Sequence, residues 1–343
     1  MHRCDTIFRL ALGCLALVAV DTSGLASETE IRNPDSISHM SVKPFIRYSK
    51  TAIALAPARD ADDAADITDT AGDVVTIQPR AAPAIGLTLS YGKHLNLSLA
   101  ATRDQWQRRS DEGKTKSQVL EIHSVNKALQ FDFSHTRVDG MYQESVPKTD
   151  IRPFQDRLFR DTDEAEILPS ARLRSTTIGV NWNFDHESYD ADAAFHQTRV
   201  PTASGYSPIV GSFVSNMNWS DDEPLIPQDL QTTFAGYQTM DSLSIKAFGI
   251  HAGFGGLYWN EPWFAAGQLM LGAAAASVAA SPADAGLSVR TSNTLDLRGV
   301  AGYSRRTAAF GVAGYKQMLS TRLGDGGLTT STSSIELFYR RRL

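Results

Sequence analysis

Along residues 171–200 apolar and polar side chains alternate. Ile178, Val180, Trp182 and Phe184 share one parity, polar residues fill the places between, and after a three-residue break the alternation resumes. Strand side chains change face at every residue, so the pattern predicts a β-hairpin with one apolar and one polar face. The polar face carries Thr177, Asn181, Asn183, Asp190, Asp192 and His196. Such a face is foreign to the packed interior of a soluble sheet. It is ordinary for the lumen of a membrane barrel, whose strands turn apolar residues to lipid and polar ones inward.

The same alternation recurs along the chain. Residues 44–56 read as a first strand, 84–91 and 95–99 as a hairpin, and 116–124 with 129–133 as another; 243–258, 263–280, 287–303, 308–319 and 330–343 supply the rest. Long external loops are expected at 57–81, 138–170 and 201–240. Four prolines and three glycines in 201–238 argue against a central strand there, so the apolar patch 209–214 is assigned to a loop. Five tight turns, near Lys93, Asn126, His186, Glu261 and Arg305, then fall on the periplasmic side, where barrels keep their short connections. Tyr91, Trp182, Phe184, Tyr189, Tyr258, Trp259, Trp263 and Tyr303 would form an aromatic girdle at that rim. The expected fold is all-β: a closed antiparallel up-and-down transmembrane β-barrel of about twelve strands over residues 44–343.

Composition is compatible with this. Hydrophobic residues make up 42% of the chain, and a barrel needs only alternate positions to be apolar. The stretch nearest to a membrane helix, 264–280, is mostly Ala and Gly with Gln268 near its start. Arg3 and Arg9 precede or border an apolar run over 10–20, and small residues flank Ala26; this reads as a secretory signal over 1–26, followed by a periplasmic lead-in over 27–43. Lipidation at Cys14 is the rival reading, and Ala11 stands where a leucine is usual. Cys4 and Cys14 both leave with the signal, so neither disulfides nor cysteine-bound metals are expected. The net charge of -5 survives cleavage, because Arg3 and Arg9 leave with Asp5 and Asp21, and nucleic acid is not an expected partner. The final strand alternates Ile335, Leu337, Tyr339, Arg341 and Leu343, a partial match to the aromatic-ended strand that insertion machinery grasps.

The segments IQPRAAPAIGLTLSYGKHLNLSLA (77–100), GKTK from Gly113, FDFSHTRVDGMYQ (131–143) and AAFHQT with SGYSP (193–208) resemble a bacterial family catalogued as domain of unknown function 4421. The resemblance implies an outer-membrane barrel of a Gram-negative bacterium and supplies no catalytic residues. Met141 departs from the pattern, standing where the family tends to have an aromatic.

Parity places Glu121, His123, Asp132, Asn181, Asn183, Asp190, Asp192, His196, Asp296, Arg298, Glu336 and Arg340 opposite the apolar face. Arg172 and Arg174 share the apolar parity and must sit beyond the membrane. The inward set suits a charged lumen that selects small polar solutes, or a plugged barrel whose charges pair internally; the second is favoured for a barrel of about this size. A small channel or solute-binding porin-like protein is the first functional expectation, a structural or adhesive surface barrel the second, and an outer-membrane hydrolase the third. The best hydrolytic pair, Asp192 and His196, is roughly 13 Å apart if both lie on one strand, too far to touch. No G-x-S-x-G motif occurs, and no enzyme activity is expected. Asp60, Asp62, Asp63, Asp66, Asp69 and Asp73 read as a solvated acidic loop rather than a calcium site, and no metal or cofactor is expected. Arg103, Arg108, Arg109, Lys114 and Lys116 are candidates to neutralise lipid-A phosphates. Expected partners are outer-membrane lipid and lipopolysaccharide, the insertion machinery and, for a lumen, a small solute.

Overall fold

The computed structural model describes residues 40–343 except 57–73, 80–82, 93–94, 103–114, 127, 147–165, 225–239, 282–287 and 324–325. The signal at 1–26, most of the lead-in, the acidic loop and Arg103, Arg108, Arg109 and Lys114 lie outside the described residues. The strands are β1 (Met40–Ala56), β2 (Val74–Gln78), β3 (Pro83–Tyr91), β4 (Leu95–Thr102), β5 (Lys116–Asn126), β6 (Leu129–Val146), β7 (Glu166–Asn183), β8 (Gly205–Ser220), β9 (Ser242–Asn260), β10 (Trp263–Ser281), β11 (Ser288–Ser304), β12 (Ala308–Leu323) and β13 (Gly326–Arg342). Neighbours are antiparallel, and β1 pairs with β13 over most of its length, closing the barrel. The wall has twelve strands plus one short extra piece.

The extra piece is β2. Both β2 and β3 run antiparallel to β1 and pair with it in succession, β3 along Met40 to Tyr48 and β2 along Ile53 to Leu55. On its other side β2 pairs with β6, whereas β3 pairs with β4. The β4–β5 hairpin is therefore inserted only beside the first half of β1. Past it the ring closes through β2 and has ten strands instead of twelve.

Five expectations are corrected here. Residues 209–214 lie in β8, a full wall strand, while 189–200, expected as the return strand of the opening hairpin, is not a strand at all. The two errors cancel in the strand count, because each exchanges one strand for one connection between β7 and β9. Residues 74–78, expected in a loop, form β2, and wall strands also extend into 138–146 and 166–170. The barrel begins at Met40 rather than at residue 44.

One end of the barrel, the turn end, carries the start of β1, the end of β13 and the short connections at Gly92, Ala128, Glu261–Pro262 and Arg305–Thr307. The strand ends that flank residues 57–73, 103–114, 147–165 and 225–239 are at the other, the loop end. One long connection, 184–204, belongs to the turn end, and it folds inward. Its π-helical turn Asp192–His196 has buried Asp192, Ala193 and Ala194. Tyr189, expected in the girdle, is 1% exposed and lies inside against Gly255, where an added Cβ would come within 2.6 Å of the ring. Trp259 also packs inward, while Tyr91, Trp182, Phe184, Tyr258 and Trp263 are exposed on the outside.

The apolar face changes sides along the barrel axis. Near the turn end it looks outward: on β9, Phe248, Ile250, Phe254 and Tyr258 are exposed, and Ile85, Leu87, Leu89, Ile178, Val180, Val210, Leu269, Leu271, Val312 and Leu337 continue the belt. Residues 248–258 extend roughly 35 Å along the strand, or about 25 Å in height at the usual tilt, the height of a barrel's lipid-facing band. Toward the loop end the outward positions become Arg172, Arg174, Asn216, Asn218 and Lys246, all exposed. The inward ones become Ile53, Leu55, Val75, Ile77, Leu173, Trp219, Leu243, Ile245 and Leu328, which pack into one dry core.

Candidate functional site

Between that core and the inward turn lies a cluster of buried ionisable groups. Alternation on β1 puts Lys43, Phe45 and Arg47 inside. The Arg47 guanidinium grips Glu121 of β5 with two bonds of 2.7 and 2.8 Å and Glu336 of β13 at 2.7 and 3.0 Å. Lys43 donates to the other oxygen of Glu336 at 2.7 Å. The two cations also sit over aromatic rings, Arg47 at 4.8 Å from the centre of Phe45 and Lys43 at 5.2 Å from that of Phe338.

A second group is centred on Asp132 of β6. Its carboxylate meets His123 Nδ1 at 2.6 Å, Arg298 at 3.3 Å and the Asn181 amide at 3.4 Å. Arg298 turns also to Asp296 at 3.2 Å, and Asn181 Oδ1 contacts His251 Nε2 at 2.7 Å. The rings of His123 and His196 are 4.8 Å apart, which links this group to the π-helical turn. Asp192, on the same turn, accepts from Thr198 and from Asn96 at 3.4 Å. Arg340 donates to Ser41 and Ser90 at 2.6 Å, and Arg342 holds the segment by its backbone, donating to Gln197 O at 3.0 Å and to Arg199 O at 3.2 Å.

Every inward candidate named from the sequence lies in this interior or on the inserted segment. Glu121, His123, Asp132, Asn181, Asn183, Asp296, Arg298, Glu336 and Arg340 reach it from wall strands. Asp190, Asp192 and His196 reach it from the folded connection, which corrects their expected place on a strand. Asp190 is at its edge, paired with Arg199 at 2.5 Å. Asp192 and His196 do not form an acid–base pair, because the carboxylate is taken by Thr198 and Asn96. Lys43, Arg47, His251 and Arg342 were missed. All four carry the same parity signal as the others, and Lys43 fell outside the expected barrel only because its start was set at residue 44. Of the basic lipid-facing candidates, Lys116 is described and stands outward at the top of β5.

Among the described residues the interior is filled by packed and paired side chains. A cavity of about 40 Å³ at mid-height, lined by Thr177, Ser215, His251, Thr294, Asp296 and Thr332, has room for no more than a few waters. Above it lies the dry core, and below it the paired charges and the inserted segment. Among the described residues no group of three or more His, Asp or Glu side chains is placed to hold a metal ion.

The inserted segment should respond to pH through two opposed groups. Burial raises the Asp192 carboxyl to about 6, with Asp190 adding to the effect and the Thr198 hydrogen bond, Arg340 and Arg199 opposing it. Burial lowers His196, helped by His123, Lys43 and Arg340 and opposed by Asp132. Asp192 therefore favours the seated segment below about pH 4, the free carboxyl value, and that stabilisation is lost as pH rises to about 6. His196 favours it above about pH 6.5 and the gain is lost as pH falls. Across pH 4–6 the two contributions oppose each other. Relative to the native barrel, the urea midpoint of Asp192→Asn should climb more steeply with pH over this window, and that of His196→Gln less steeply. Slopes in both variants equal to the native one would refute the assignment.

Together these features define a closed, internally filled β-barrel with an outward apolar belt. The chain belongs to the family described as domain of unknown function DUF4421, whose model matches residues 62–321. No curated protein matches it. Among solved structures it is similar to the outer membrane protease OmpT from Escherichia coli (7% identity, 92% of this chain and 100% of that one covered, TM-score 0.37). It is also similar to the β-domain of the Bordetella autotransporter BrkA (9% identity, 88% and 100% covered, TM-score 0.34) and to the toluene transporter TodX of P. putida (9%, 91% and 91%, TM-score 0.26). These likenesses are too distant to bear on activity.

Proposed function

We propose that this protein spans the outer membrane of a Gram-negative bacterium with its turn end in the periplasm and its loop end outside, and that it serves there as a structural or adhesive surface barrel rather than as a channel. The carrying observation is the filled interior: a dry apolar core at the loop end and mutually satisfied charges beneath it. Orientation follows from the short connections and both strand termini at one end, the arrangement barrels adopt toward the periplasm. The barrel then stands well out of the bilayer, its exposed half carrying the polar outer wall.

Purified protein in a planar bilayer is expected to insert without conducting. Steady conductance from the native chain would overturn the reading. In cells, loss of the protein should alter adhesion or detergent resistance of the envelope and leave uptake of small solutes unchanged; an uptake defect with intact surface properties would favour transport instead. Envelope fractionation followed by electrophoresis with and without boiling tests the membrane location itself.

A further inference from the structure

The outer wall immediately beyond the apolar belt carries a concentrated positive charge on β5 to β9. Arg137, Arg172, Arg174 and Lys246 all point outward there, and among the described residues of these strands the outward carboxylate beside them is Asp139. Arg137 and Arg174 stand directly opposite each other in the β6–β7 register. Like charges facing across a sheet cost stability unless an anion lies between them. Asp139 bonds Arg137 at 3.0 Å and faces Lys116 and Arg172 across its two neighbouring strands, so Arg174 and Lys246 stand in the register with no carboxylate opposite them. Asn216, Asn218 and Ser244 fill the positions beside Arg174 and Lys246 and add hydrogen-bonding groups without charge. Asp221, Asp222 and Glu223 follow the end of β8 beyond the patch, and Asp221 accepts from Ser170.

Directly beneath, on the same strands, lie Leu120, Phe131, Ile178, Val180, Val210, Val214, Phe248 and Ile250. A cationic shelf over an apolar wall matches a lipid that carries phosphates above its acyl chains, and Arg forks bind phosphate through paired N–H bonds. We propose that this face binds a phosphorylated glycolipid of the outer leaflet, with its phosphates between Arg137, Arg174 and Lys246 and its acyl chains on the belt below. The inference rests on the membrane orientation proposed above, which puts this shelf at the outer leaflet.

The test uses the full barrel in detergent, read by native mass spectrometry. Lipid A bearing both phosphates should bind, and lipid A stripped of them should bind at least tenfold more weakly. Arg137→Gln with Arg174→Gln should weaken the phosphorylated form tenfold or more, and Lys316→Gln, outward on the far wall between Leu297 and Ser333, should not. Lys246→Gln is the second variant should the double one fail to fold, and it should also weaken binding. Equal binding of both lipid forms, equal binding of phosphatidylglycerol, or binding unchanged in the variants would overturn the site. Release of the native protein from envelopes without detergent would instead overturn the membrane orientation, whatever the lipid result.

Discussion

Arg47→Ala is expected to destabilise the barrel by about 3–5 kcal/mol, because it strips both Glu121 and Glu336 of their shared cation inside a barrel where water cannot replace it. Breaking a buried ionic group costs far more than its net worth when intact, since the surviving charges keep their desolvation penalty. The measurement is the urea or temperature midpoint at which the unboiled gel species is lost. A companion variant separates structure from function: replacing Lys43, Arg47, Glu121 and Glu336 together by Met or Leu should recover most of the lost stability. If the fourfold variant is as unstable as Arg47→Ala, the cluster is held by something other than mutual charge compensation.

The second large effect is expected at the opposite end. Trp219 is 1% exposed and fills the centre of the dry core with Leu173, Leu243 and Ile245 around it. Trp219→Ala should cost about 3–5 kcal/mol, the lost transfer energy plus a cavity that rigid strands cannot close. Phe254→Ala removes an aromatic of comparable bulk from the outward belt, where acyl chains or detergent flow into the space, and should cost markedly less. A larger loss for Phe254→Ala than for Trp219→Ala would mean that the apolar residues of the loop end are not packed against one another.

The closed barrel and its inward charges were legible because parity is a local property of each strand. Asp132, Glu336 and Arg298 sit opposite their apolar neighbours in the sequence and inside the wall in space. The reversal of the apolar face along one strand was only half legible. Arg172 and Arg174 signalled that β7 leaves the membrane, yet the parity of Ile53, Leu55 and Trp219 tells which residues share a face, not whether that face meets lipid or core. The exchange of 189–200 for 205–220 has a different cause. Tyr189, Ala191, Ala193 and Phe195 alternate as a strand would, and the small Ala191, Ala193 and Ala194 equally suit a compact turn tucked inside. Pro208 and Gly211 weakened the signal of β8, although Pro208 starts its wall run near the turn end and Gly211 leaves room for Asn181 and His251. Among site residues, partners across the barrel were beyond reach: nothing in the order of the chain announces that Arg47 meets carboxylates 74 and 289 residues away.

The insertion of β4 and β5 into only part of the wall makes the barrel narrower toward its loop end. Barrel diameter grows with the number of strands, so the ten-strand mouth has a bore that Ile, Leu and Trp side chains can fill unaided, whereas the twelve-strand base is too wide for them. The base must therefore be corked by backbone, and the chain supplies the cork where it is needed, as the single long connection on that side. Removing the hairpin 95–126 should for the same reason leave residues 189–204 with nowhere to fit.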